Sequence, residues 1–161
     1  MALWGITDAD EAKPKWLTTA QKKEVFANNS GWVVEAGSTM TGNDNADAQP
    51  EVLCCVGDLA TGIGAADITE IEFITTAFDK SDGGNIDVRV RFNEQVTVDT
   101  SGGTPTLTIT NDTPSRNLTA TYLSGSTTNE LVFRKTIAAA NAATNAGDVL
   151  SIGANPLALA S

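Results

Sequence analysis

Histidine does not occur anywhere in the 161 residues. That removes the side chain most used as a general base near neutral pH and the commonest metal ligand. It also makes a Ser-His-Asp arrangement impossible, however plentiful Ser and Thr are. Cysteine is nearly missing: the two present, Cys54 and Cys55, are adjacent. Neighbouring strand residues point to opposite faces, so a bridge between them would be strained. One such pair gives neither a metal spacing nor a disulfide framework. The two read as reduced, partly buried small apolar residues, which favours folding in a reducing cytosol. No stretch approaches the roughly 18–20 apolar residues that span a bilayer. The opening MALWGITDADEAKPKW is acidic and lacks a continuous apolar run, so it does not read as a secretory signal.

Basic residues are scarce, 10 against 20 acidic ones, for a net charge of −10. The imbalance holds in both halves: nine acidic against four basic in residues 1–66, eleven against six in 67–161. Such acidity argues against nucleic acid and anionic membranes as partners and suits a soluble protein that resists non-specific sticking. Gly62-Ile63-Gly64 lacks the later Gly and following helix of a phosphate-binding loop. Carboxylates are numerous enough for a glycosidase pair, but none stands in an apolar setting that would raise its pKa. The chain reads as a non-enzyme, with no cofactor and no metal site expected. Asp79, Ser81, Asp82, Asn85 and Asp87 crowd oxygens into one turn, yet their spacing is not that of an EF-hand, and a plain polar turn is the favoured reading. Asn28, Asn111 and Asn117 sit in glycosylation sequons, which carry no meaning without a secretory route.

What the chain does have is period-2 alternation. Ile86, Val88, Val90 and Phe92 alternate with Asp87, Arg89 and Arg91, a strand with one dry and one wet face. The dry face must be covered, which implies a sandwich. Further strands are expected at 68–75, 96–98, 106–110, 118–122, 130–136 and 149–152, separated by Gly-, Ser-, Asn- and Pro-rich turns. Ile71 and Phe73 are expected inward, Glu70 and Glu72 outward, and Tyr122 inward. Spacing of about 10 residues between short strands indicates an all-β sandwich over residues 68–161. Residues 138–146 read as a loop or one helical turn, and 155–161 as a tail, mobile or laid along a neighbour.

The first third differs. Residues 1–15 show no period and read as an extended arm holding Trp4, which packs either on its own domain or on a neighbouring subunit. Residues 18–28 read as a helix, with Thr18 and Gln21 at capping-box spacing. Strands at 32–36 and 51–56 would form a long-looped hairpin with the helix on one face. This module, residues 1–57, is too small to be robust alone, so a partner surface or the larger domain is expected to support it. Residues 58–67, rich in Gly and Ala, read as a linker. The fold class expected is therefore mainly β, a β-sandwich preceded by a small α+β module of arm, one helix and hairpin.

The stretch V90-R-F-N-E-Q-V-T-V-D-T-S-G-G-T-P-T-L-T-I-T110, with T119-A-T-Y-L-S-G-S-T-T-N-E-L-V-F133 and D148-V-L-S-I152, resembles a bacterial Ig-like module found in surface proteins and phage virion proteins. The polar Gly- and Asp-rich strand that usually closes that pattern is missing or shortened after Ile152. M-A-L-W-G, D-A-D-E-A-K-P-K-W-L-T and the following G-W-V resemble the openings of small virion structural proteins of large marine and cyanobacterial tailed phages. The resemblance implies a capsid decoration protein, made in the host cytoplasm and carried on the virion, with an outward-projecting Ig-like domain. Its N-terminal module would bind the major capsid protein or another virion protein through Trp4, Pro14, Trp16 and Trp32, and the homo-oligomeric state stays open. A tail, neck or fibre component, or a carbohydrate- or protein-binding adhesion module, are the alternatives.

Overall fold

The computed structural model describes residues 13–40, 45–140 and 144–159. In chain order the elements are α1 (Thr19–Lys23), β1 (Val25–Asn28), β2 (Gly31–Val34), β3 (Glu51–Cys55), α2 (Leu59–Gly62), β4 (Ile68–Phe73), β5 (Gly84–Val96), β6 (Thr106–Asn111), β7 (Leu118–Ser124), β8 (Thr128–Ile137), β9 (Leu150–Ser151) and β10 (Leu157–Ala158). The fold is mainly β. It divides into two compact units: one reaching to Thr69 and including Phe92–Val96, the other comprising Glu70–Arg91 and the chain from Thr97 onward.

In the first unit Thr18 caps α1 as its sequence predicts. Its hydroxyl accepts from the Gln21 N–H at 3.2 Å and its own N–H donates to Gln21 Oε1 at 2.9 Å. The helix stops at Lys23, five residues long, and the expected helix over 18–28 is corrected: Val25–Asn28 is a strand. Val25 and Phe26 favour strand over helix, and Asn28-Asn29-Ser30-Gly31 makes a two-residue hairpin turn that pairs Val25 with Val34 and Asn28 with Gly31. Asn28 Oδ1 accepts from the Ser30 N–H at 2.8 Å, an Asx turn that fixes the reversal. The strand pairing expected across the long loop is present: β3 lies antiparallel to β2, with a bulge at Trp32/Val33. β2 is thus central, between β1 and β3, while β1 also pairs in parallel with the end of β5 at Ala27 and Glu94.

One face of this sheet carries Val25, Ala27, Trp32 and Val34, closed over by Leu17, Leu59 and Ile63. Leu59 and Ile63 are both 1% exposed. The linker expected over 58–67 is therefore corrected. Its two large apolar residues, four apart across the single turn of α2, bury on one face, and the flanking Gly and Ala residues conceal that pattern from composition.

In the second unit the strands pair in the order β10-β6-β7-β8-β5, with β4 also on β5 and β9 at the far end of β6. The alternation expected on β5 is present: Ile86, Val88 and Val90 are buried while Asp87, Arg89 and Arg91 are half-exposed. The strand is longer than expected, 13 residues. The polar run Asn93-Glu94-Gln95, which reads as an interruption, continues the strand and belongs to the first unit: the Asn93 N–H donates to the Asp67 carbonyl at 3.0 Å, and Asn93 Oδ1 accepts from the Asp67 N–H at 2.8 Å. Leu107, Ile109, Leu118, Ala120, Leu131 and Phe133 supply the buried positions of β6, β7 and β8. Tyr122 is half-buried, meets Phe133 edge-on at 6.1 Å, and accepts from the Ser126 N–H at 2.9 Å. Where it is described, the tail adds a short strand to β6. Leu157 and Ala158 pair with Leu107 and Thr106, and the Thr108 N–H donates to the Pro156 carbonyl at 2.8 Å.

Candidate functional site

Residues 13–23, K-P-K-W-L-T-T-A-Q-K-K, hold four of the ten basic residues and none of the twenty acidic ones. The segment is anchored at several points. Pro14 and Leu17 are buried, with a turn closed by the Leu17 N–H on the Pro14 carbonyl at 3.3 Å. The capping box at Thr18 fixes the entry to α1, and Lys13 Nζ donates to the Lys22 carbonyl at 2.7 Å. Between the two buried anchors Trp16 is turned outward, 60% exposed. An exposed indole on a segment pinned in this way is the kind of feature that dominates a protein interface.

The four residues expected to dock thus separate. Trp16 is on the surface. Pro14 is buried. Trp32, 0% exposed, is corrected to a core residue, because its strand is the central one of three and α2 closes over it. Trp4 lies outside the described residues. The lysines around Trp16 were missed. The available signal was a local reversal of charge in an acidic chain, hidden when charge is summed over whole halves.

Comparison with protein-family profiles, with curated proteins and with solved structures finds no match.

In the second unit two polar arrangements stand out. The wet face of β5 joins β4 and β8 through ion pairs. Arg89 bonds Glu72 and lies 3.3 Å from Glu130, Arg91 bonds Glu130 and lies 3.6 Å from Glu70, and Arg134 grips Asp87 through two bonds of 2.7 Å. The Arg134 bonds hold the Asp87 carboxyl below the usual carboxylate range, against the opposing effect of burial. The second arrangement is centred on Asp148. Its oxygens accept from Asn111 Nδ2 at 2.8 Å, Thr113 Oγ1 at 2.9 Å and the Asn145 N–H at 2.7 Å. These bonds, led by that from Asn111, hold its carboxyl below the usual range too. Asp99 is lowered likewise by the Ser101 N–H. These three carboxylates are all stabilised as anions, the opposite of what a general acid requires.

The Asp79–Asp87 turn is internally satisfied. Asp79 Oδ1 accepts from the Ser81 N–H at 2.7 Å, Asn85 Oδ1 accepts from Thr136 at 2.7 Å, and Asp87 belongs to Arg134. Among the described residues no group of three acidic, Cys or His side chains is placed to hold a metal ion. Beside this turn lies an open cleft of about 630 Å³, lined by Phe78, Asp79, Lys80, Thr144, Asp148 and Leu150 among others. In its wall the Thr144 hydroxyl is buried without a hydrogen-bond partner among the described residues.

Proposed function

We propose that this chain is a non-enzymatic structural protein of a phage virion, seated on the particle through its first unit, with the second unit as an outward Ig-like sandwich. The observation that carries the reading is Trp16: a large indole 60% exposed on a segment pinned by Pro14, Leu17 and the Thr18 cap. Its partner on the particle is the major capsid protein or another virion protein. The Ig-like assignment draws on the resemblance over residues 90–152 and on the alternating burial of β5 to β8.

The test is to add the labelled full-length chain to purified tailed-phage particles whose genome encodes it, and to image them by electron microscopy. Many copies over the head are expected. A few copies at one vertex would assign it to the tail or neck instead, and absence from particles would overturn the reading. Trp16→Ala should weaken particle binding about 10- to 100-fold, the worth of one buried aromatic anchor. Undiminished binding by the variant would remove Trp16 from the contact. A glycan array with strong hits would favour the adhesion module.

A further inference from the structure

β5 is one strand whose residues fall in both units: those up to Arg91 belong to the second, Phe92–Val96 to the first. Its burial changes at that point. Up to Arg91 buried and half-exposed residues alternate; Phe92, Asn93 and Glu94 are then buried in succession. In the first unit this stretch runs parallel to β1, with Ala27 opposite Glu94, so β1 has β2 on one side and β5 on the other. Asn93 also fixes Asp67, through its N–H and its side chain, just before β4 begins. The chain thus enters the second unit after Thr69, returns to the first for Phe92–Val96, and leaves again.

The two units do not depend on each other equally. With the second unit unfolded, Phe92–Val96 would be held in the first across a loose loop of residues 70–91, and closing that loop costs entropy. With Phe92–Val96 released, β1 becomes an edge with unpaired backbone groups, and the three short strands that remain make a marginal sheet. With the first unit unfolded instead, residues 92–96 become only a short loop between Arg91 and Thr97, and β6, β7 and β8 lie wholly within the second unit.

We propose that the first unit folds only when the second is folded, while the second stands without the first. The Trp16 segment is then assembled only on chains whose second unit is complete. The order of synthesis has the same effect. Residues 92–96 follow Thr69 after all of 70–91, so the first unit cannot close when its own first 69 residues have emerged. As a check on docking this rests on the function proposed above; the folding dependence is measured with no particle present, so either can fail alone.

The experiment is hydrogen–deuterium exchange on the purified full chain over a urea series, read by mass spectrometry, with Trp emission alongside. Exchange reports opening region by region. Amides of β1 and β2 report the first unit and those of β6 to β8 the second; Trp32, fully buried, adds an optical signal for the first. In the wild-type chain β1 and β2 should lose protection at the same urea concentration as β6 to β8 or at a lower one. Two variants separate the directions. Phe133→Asp places a charge at a fully buried position of β8. At the urea concentration where its β6 to β8 amides exchange freely, β1 and β2 should be unprotected too and Trp emission shifted to the red. Leu59→Asp does the same to the core of the first unit. There β1 and β2 should lose protection while β6 to β8 keep theirs. Protected β1 and β2 beside freely exchanging β6 to β8, in the wild type or in Phe133→Asp, overturns the proposal, because the first unit would then stand alone. Loss of β6 to β8 protection in Leu59→Asp also overturns it, because the dependence would run both ways.

Discussion

Gly31 leaves no room for a side chain. Its φ is +132°, a conformation L residues rarely adopt, and a Cβ there would overlap the Cys54 carbonyl oxygen and the Val56 nitrogen on the adjoining strand. Both the hairpin reversal and the close approach of β2 to β3 depend on it. Gly31→Ala is expected to destabilise the first unit by about 2–4 kcal/mol, combining backbone strain with displacement of β3. Trp32 is fully buried in this unit, so the change in Trp emission on its exposure during urea unfolding follows this unit. An unchanged midpoint would show that β3 is not held against β2 as described.

At the scale of elements, α2 is the short piece with the largest consequence. It offers two large side chains, Leu59 and Ile63, to the sheet of the first unit. Ile63→Ala opens a cavity against Trp32 and its neighbours and should lower the Trp-monitored stability by about 2–5 kcal/mol. Gly57→Ala, two residues before Leu59, meets open space and should change stability by less than about 0.5 kcal/mol. A true linker would give two silent substitutions. β5 is the contrasting case, an element legible from sequence because it is exposed to water on one side only. Its alternation of Ile, Val and Phe with Asp and Arg states both the strand and which face is wet. The partners of that wet face, Glu70, Glu72, Glu130 and Arg134, lie 17 to 47 residues away and become neighbours only once β4, β5 and β8 align.

For the molecule as a whole, acid acts in two ways. Asp87 and Asp148 have folded pKa values below the unfolded carboxylate value of about 3.9. The stability they contribute is fully present above that value and is lost as pH falls through it towards the lower folded values. The net charge, −10 at pH 7, also vanishes near pH 4.2, so repulsion between copies fades in the same range. Urea midpoints followed by circular dichroism should therefore be level between about pH 6 and 8 and fall below about pH 4. The double variant Asp87→Asn with Asp148→Asn should be less stable than wild type at neutral pH and by a smaller margin at pH about 3, below the unfolded carboxylate value, where part of the wild-type carboxylates' contribution is lost. A deficit equal at both pH values would mean the charges themselves contribute nothing.

The sequence by itself determined the β character, the capping box at Thr18 and the paired faces of β5. Each is a local pattern whose physics is complete within a few residues: a hydroxyl three positions from an N–H, or alternate side chains on alternate faces. It left the choice between helix and strand at Val25–Asn28 to the hairpin that Gly31 and β3 create, and the fate of residues 58–67 to a core that exists only when β1 and β2 are side by side. It named Trp16 and Trp32 alike as aromatic anchors. Only the tertiary structure decided that Trp32, on the central strand beneath α2, is interior while Trp16, lifted between two buried residues, faces outward. Burial depends on what covers a side chain, and the covering residues come from other parts of the chain.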